Sequence, residues 1–154
     1  MTPNDRADIE TLYFMLLERW NAQDAKGMAT LFVAEGHMVG FDGTEVDGSD
    51  AIERSLAAIF QHHKTPAFVA KVRSVRMLPA SAILRGVAGM VPPGQSDLNP
   101  ELNAVQALVA SNTSGAWRVE LFQNTPAAFH GQPEARDRLT TELREILNRR
   151  NAGL

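Results

Sequence analysis

The stretches AFVAKVRSVRML (67–78), AILRGVAGMV (82–91), LNAVQALVAS (102–111) and AWRVELFQNT (116–125) decide the fold. Each is rich in β-branched and other apolar residues and is bounded by proline, glycine, asparagine or serine, the signature of a strand. The third and fourth are tied through the Asn112–Gly115 turn, which predicts a hairpin. Strands that follow one another with no helix between them predict an antiparallel sheet.

Upstream of this block the periodicity changes from two to between three and four. From Asp5 to Gln23, Ile9, Leu12, Tyr13, Leu16, Leu17 and Trp20 share one helical face. Thr2 can cap this helix with Asp5 three positions on, and Pro3 sits where its missing N–H costs nothing. A short second helix, capped by Asp24, is expected to carry Met28, Leu31 and Phe32 inward. His37 to Phe41 reads as a strand, and Asp42-Gly43 turns the chain back through Glu45-Val46-Asp47. Ser49 and Asp50 can cap a third helix, with Glu53 closing a box onto Asp50 and Ile52, Leu56, Ile59 and Phe60 forming its buried stripe. It should stop near His63-Lys64, before Pro66.

Between the second and third long strands, Pro92–Pro100 is a stiff, irregular excursion and a candidate lid. A final helix over about 133–150 carries Leu139, Leu143, Ile146 and Leu147 on one face and charges elsewhere. Helices first and strands in a block define an α+β class in one domain over residues 1–154.

Composition narrows the partners. The chain has 154 residues, of which 44% are hydrophobic and 21% charged, as in ordinary globular proteins. Fifteen Lys and Arg face 18 Asp and Glu, and the net charge of -3 argues against nucleic acid or an anionic membrane as partner. With no cysteine, disulfides, thiolate metal sites and thiol nucleophiles are excluded, and a reducing compartment such as the cytoplasm fits. Neither a standard signal segment nor a membrane-spanning apolar run is visible. There is no Gly-x-Gly-x-x-Gly after a strand, no Gly-Lys-Ser/Thr loop and no His-Glu-x-x-His, so the expectation is no cofactor and no metal.

The order helix, short helix, hairpin, helix and antiparallel meander, with Asn21-Ala22-Gln23-Asp24, Leu31-Phe32 and Phe41-Asp42-Gly43 at its start, resembles the cone-shaped nuclear-transport-factor-2-like (SnoaL-like) superfamily. Gly89 to Gln95, Asn103 to Gln106 and Phe122 to Gly131 are similar to the SgcJ/EcaC family, whose members are often met beside enediyne and other secondary-metabolite genes. This resemblance implies a curved sheet around a pocket and a dimeric habit, without implying a reaction; the extra C-terminal helix is an addition read from its own periodicity. Steroid isomerases on the same fold use a strand-end carboxylate and a helix-one tyrosine. Those positions align with Phe41 and Leu16, neither of which can move or share a proton.

A strict two-residue period puts His37, Val39 and Phe41 on the inner face of the first strand, and Trp117, Val119, Leu121 and Gln123 on the inner face of the last. His37 is then a candidate proton shuttle, the plainer alternative being a satisfied structural histidine. Gln123 and Asn124 can orient a carbonyl but cannot act as bases at neutral pH; a bulge near Thr125-Pro126 would be needed to turn Asn124 inward. Trp20 and Trp117 fill core volume or line the pocket. Tyr13 packs in the core with its hydroxyl bonded, and Gln106 needs partners inside an apolar strand. Ligand-binding candidates are therefore Tyr13, Trp20, His37, Phe41, Gln106, Trp117, Gln123 and Asn124. His62, His63 and His130 read as solvated.

Two functional classes remain open on these residues, beside a pure dimerisation module whose cone is filled by side chains. One is a binding protein for an apolar small molecule. The other is a cofactor-independent isomerase, cyclase or hydratase with His37 as base. A homodimer is expected, sheet against sheet, through outward apolar residues such as Phe122.

Overall fold

The computed structural model describes residues 3–153. In chain order it contains α1 (Pro3–Asn21), α2 (Ala25–Ala29), β1 (Phe32–Val39), β2 (Glu45–Asp47), α3 (Ser49–His62), β3 (Ala67–Leu78), β4 (Ser81–Val91), a 3-10 turn (Pro100–Leu102), β5 (Ala104–Thr113), β6 (Ala116–Pro126) and α4 (Pro133–Asn151). The strands form one curved sheet in the order β2-β1-β6-β5-β4-β3. The α+β class and the four long strands follow the sequence reading closely. One pairing does not: β1 lies parallel to β6, so the sheet is mixed rather than antiparallel. None of the helices among the described residues is long and apolar enough to cross a membrane.

The inner face of the sheet is covered by α1, α2 and α3. Ile9, Leu12, Tyr13, Leu16 and Leu17 of α1 are buried against it, as their spacing requires. The proposed Thr2 cap lies outside the described residues. Asp24 caps α2 by accepting from Gly27 N at 2.8 Å. Leu31 and Phe32 lie beyond α2, because Leu31 O accepts from Val119 N of β6 at 2.8 Å and Phe32 opens β1. A partner strand distant in sequence thus moves the boundary. β1 stops at Val39, ahead of Phe41, where Gly40 O accepts from Gly43 N and Asp42 Oδ1 from Thr44 N.

Gly48, rather than Ser49 or Asp50, precedes α3, with no side-chain cap bond. Its φ of 93° supplies the left-handed bend out of β2, and its N–H donates to Gly36 O at 2.7 Å. Ile52 and Leu56 are buried as expected, Ile59 and Phe60 half-buried. Leu102 falls in the 3-10 turn rather than in a strand, since Asn99 Oδ1 accepts from Glu101 N and starts that turn.

The outer face of the sheet is covered only in part. α4 lies over β3 and β4, burying Leu139, Leu143 and Leu147 with Val69, Val87 and Leu98 in a second apolar cluster. Leu98 belongs to the proposed lid, so Pro92–Pro100 is held under α4, and none of its residues borders the cavity described below. Asp97 accepts two bonds from Arg144 at 3.0 and 3.1 Å, and Glu142 pairs with Arg73 and Lys71.

Bulges decide which residues face inward. In β5 and β6, Val109 pairs Leu121 while Ala110 pairs Val119, leaving Glu120 as the extra residue. Val119 and Phe122 are therefore both buried, and the alternation reverses beyond Glu120.

Candidate ligand cavity

At one end of the cone the three inner helices leave a cavity of about 520 Å³. Its wall takes Met38 and Val39 from the end of β1, Gly40 to Asp42 from the turn after it, Thr44 and Val46 from the hairpin, Ser55 and Ile59 from α3, and Trp20 and Met28 from α1 and α2. Pro66, Phe68, Met90, Phe122 and Asn124 complete it. The wall is chiefly apolar, with a few convergent polar groups, the pattern of a small-molecule site.

Trp20 is fixed there by its indole N–H, which donates to Pro66 O at 2.9 Å. Its ring meets Phe60 edge to face at 5.2 Å between centroids. Asn21 beside it holds the β3 edge, donating to Phe68 O and accepting from Phe68 N. Phe41 reaches the wall from the turn after β1.

Asn124 is the buried polar residue of the wall, 8% exposed. Behind it runs a chain of hydrogen bonds. The Tyr13 hydroxyl donates to Gln106 Oε1 at 2.5 Å, and Gln106 Nε2 donates to Asn124 Oδ1 at 3.0 Å. Gln106 and Asn124 are opposite one another in the β5–β6 register, so the sheet itself sets their contact. Burial holds the Tyr13 hydroxyl well above the ordinary phenol range, so it stays protonated and can only donate this bond or accept another.

Asp42 is the single titratable side chain on the wall among the described residues. The N–H and hydroxyl of Thr44 hold its carboxyl below the usual carboxylate range. An exposed carboxylate so stabilised is a weak base. No group of three or more His, Cys, Asp or Glu among the described residues could hold a metal ion.

Of the sequence candidates, Trp20, Phe41 and Asn124 line the cavity, while Tyr13 and Gln106 stand behind Asn124. Three lie elsewhere. His37 is on the exposed face of β1, its Nδ1 2.7 Å from Asp47 Oδ1. Register explains this: Met38, its neighbour, is buried and points inward, so His37 takes the other face, while Val39 at the strand end and Phe41 beyond it still border the cavity. Gln123 is exposed on the outer face because the Glu120 bulge reverses β6. Trp117, before the bulge, is half-buried and donates to Asp5 Oδ1 at 3.3 Å, away from the cavity.

The same bulge puts Phe122 on the cavity wall, against the expectation of an outer face. It also turns Asn124 inward, from a position earlier in the strand than Thr125-Pro126. Sequence reasoning missed Asp42, Thr44, Ser55 and the three methionines of the wall. Asp42-Gly43 signalled a turn, but no local signal shows that this turn rims a cavity.

No protein-family model matches the chain, and no curated protein matches it. Solved structures do. A domain of unknown function with a cystatin-like fold from Nostoc punctiforme is 21% identical, covers 99% of this chain and 98% of its own, and superposes with a TM-score of 0.78. A nuclear-transport-factor-2-like protein with a cystatin-like fold from Novosphingobium aromaticivorans is 18% identical, with 86% and 88% covered and a TM-score of 0.68. Aln2 from a Streptomyces species is 16% identical, with 86% and 98% covered and a TM-score of 0.66. The chain therefore has the cystatin-like cone fold of nuclear-transport-factor-2-like proteins.

Proposed function

We propose that this chain is a SnoaL-like small-molecule-binding protein that takes an apolar metabolite into the cone. The observation that carries this reading is the apolar cavity of about 520 Å³ with Asn124 buried in its wall. Its volume suits a compact organic ligand. The SgcJ/EcaC-like segments Gly89 to Gln95, Asn103 to Gln106 and Phe122 to Gly131 support a place beside secondary-metabolite biosynthesis. The absence of cysteine fits the cytoplasm.

We further propose a homodimer through the outer sheet face. Phe122 no longer supports it, but Val105, 41% exposed, and half-buried Val109 and Leu121 share the part of that face that α4 leaves uncovered.

The alternative, a cofactor-independent isomerase, cyclase or hydratase, loses His37 as its base and would have to rely on Asp42. Binding without turnover is the reading that the wall favours.

The test is saturable fluorescence enhancement of the neutral probe N-phenyl-1-naphthylamine. One site per chain is expected, abolished in Val46→Trp, where an indole fills the cavity, with unchanged far-ultraviolet circular dichroism. Probe binding that ignores Val46→Trp would place the ligand elsewhere, and absence of binding would overturn the reading.

A further inference from the structure

The polar network behind the cavity has a direction, and the direction limits the ligand. Among the described residues the Tyr13 hydroxyl has one hydrogen-bond partner, Gln106. If it accepted from the Gln106 amide nitrogen, its own proton would be buried without an acceptor, which costs more than the bond returns. The hydroxyl therefore donates, which fixes the oxygen of Gln106 toward Tyr13 and its NH₂ group toward Asn124. Asn124 must then spend its oxygen on Gln106. Its NH₂ group is left over. No protein partner of Asn124 Nδ2 exists among the described residues, although the residue is only 8% exposed and stands in the cavity wall.

We propose that Asn124 Nδ2 is a fixed hydrogen-bond donor that selects neutral ligands carrying an acceptor, such as a ketone, amide or quinone oxygen, at the end placed against β6. This rests on the cavity being a ligand site. An asparagine free to rotate would accept or donate equally well; the Tyr13–Gln106 relay removes that freedom. No lysine, arginine or histidine lines the cavity among the described residues, and its one titratable group, Asp42, is acidic, so a carboxylate or phosphate ligand would meet no compensating charge. Trp20, Phe41, Phe68 and Phe122 with Met28 and Met38 offer polarizable, largely aromatic contact to the rest of the molecule. Asn124 is the specificity-determining contact, and Tyr13 and Gln106 are positioning residues.

The experiment displaces N-phenyl-1-naphthylamine from the whole chain with three matched compounds: fluorene, 9-fluorenone and 9-fluorenone-4-carboxylate. Fluorenone is expected to bind about three- to tenfold more tightly than fluorene, the range of one neutral hydrogen bond. The carboxylate should bind more weakly than fluorenone. In Asn124→Leu, the preference for fluorenone over fluorene should disappear, whatever the absolute affinities of the two.

Infrared spectroscopy supplies a reading that folding defects do not mimic. The carbonyl stretch of bound fluorenone should lie below its value in cyclohexane for the unmodified chain. It should return toward that value in Asn124→Leu and partly so in Tyr13→Phe. Equal binding of fluorene and fluorenone, or an unshifted stretch, overturns the donor assignment while leaving the cavity as a ligand site. A carboxylate that binds as tightly as fluorenone overturns the restriction to neutral ligands. If none of the three displaces the probe, the acceptor selection falls; if the probe itself does not bind, the cavity reading falls first.

Discussion

The hydroxyl of Tyr13 occupies the space over Gly86 in which a side chain would begin: a β-carbon on Gly86 would lie 2.6 Å from that oxygen. Gly86 pairs with Gln106 in the β4–β5 register, so the strand residue opposite the glutamine must be bare for the helix α1 tyrosine to reach it. The relay to Asn124 thus depends on a glycine whose backbone, lacking a positive φ, does not itself require one.

Gly86→Ala is therefore expected to destabilise the fold by about 1–3 kcal/mol, the usual cost of overpacking. Tyr13→Phe should cost about 1–2 kcal/mol by leaving Gln106 Oε1 without its donor. Because removing the hydroxyl also removes the nearest clash, the double variant should lose less than the sum. Urea denaturation of the four proteins checks this cycle, and strictly additive losses would break the proposed contact.

His37→Ala should leave the affinity of the cavity for N-phenyl-1-naphthylamine unchanged, and its stability within about 0.5 kcal/mol. The side chain is exposed on the outer face and meets only Asp47 among the described residues. Gln123→Ala should behave likewise. Titration of the probe against both variants is sufficient, and a several-fold loss in either would contradict the strand phases described above.

Docking of α4 should depend on acid. Glu142 is held at about 2, against an ordinary 4.5, chiefly by its hydrogen bond from Arg73 and further by Lys71. A carboxyl depressed in the folded state contributes stability that is complete above its unfolded value and is lost as pH falls toward its folded value. Glu142→Gln should thus cost about 0.5–1 kcal/mol at pH 7, and this difference should shrink from about pH 4.5 downward. Guanidinium chloride denaturation at about pH 7, 4 and 3 reads it directly. A penalty that stays constant over that range would show that the ion pairs do not hold the helix.

The proposed dimer makes a separate demand on the outer face. Val105→Lys should convert a dimer to a monomer, because the lysine would have to be desolvated in the sheet-to-sheet contact. Analytical ultracentrifugation at micromolar concentration distinguishes the two species. A monomer before substitution would remove the dimer.

The sequence alone determined the order and type of the elements, because helical and strand periodicities are local properties of side-chain spacing. Ile9 to Leu17, Ile52 with Leu56, and the strand block from residue 67 onward were legible in this way, as was the Asp24 cap. Tertiary structure alone decided which way the strands face. A single extra residue at Glu120 reverses β6, so that Phe122 and Asn124 enter the cavity while Gln123 leaves it. A bulge arises from pairing with β5, and nothing in the spacing of β6 by itself announces it. The start of β1 and the inward turn of Met38 likewise follow from hydrogen bonds to β6, a strand remote in sequence. Local periodicity sets what a segment becomes, but its side-chain phase belongs to the pair of strands, because the ladder of N–H and C=O groups that fixes it is shared between them.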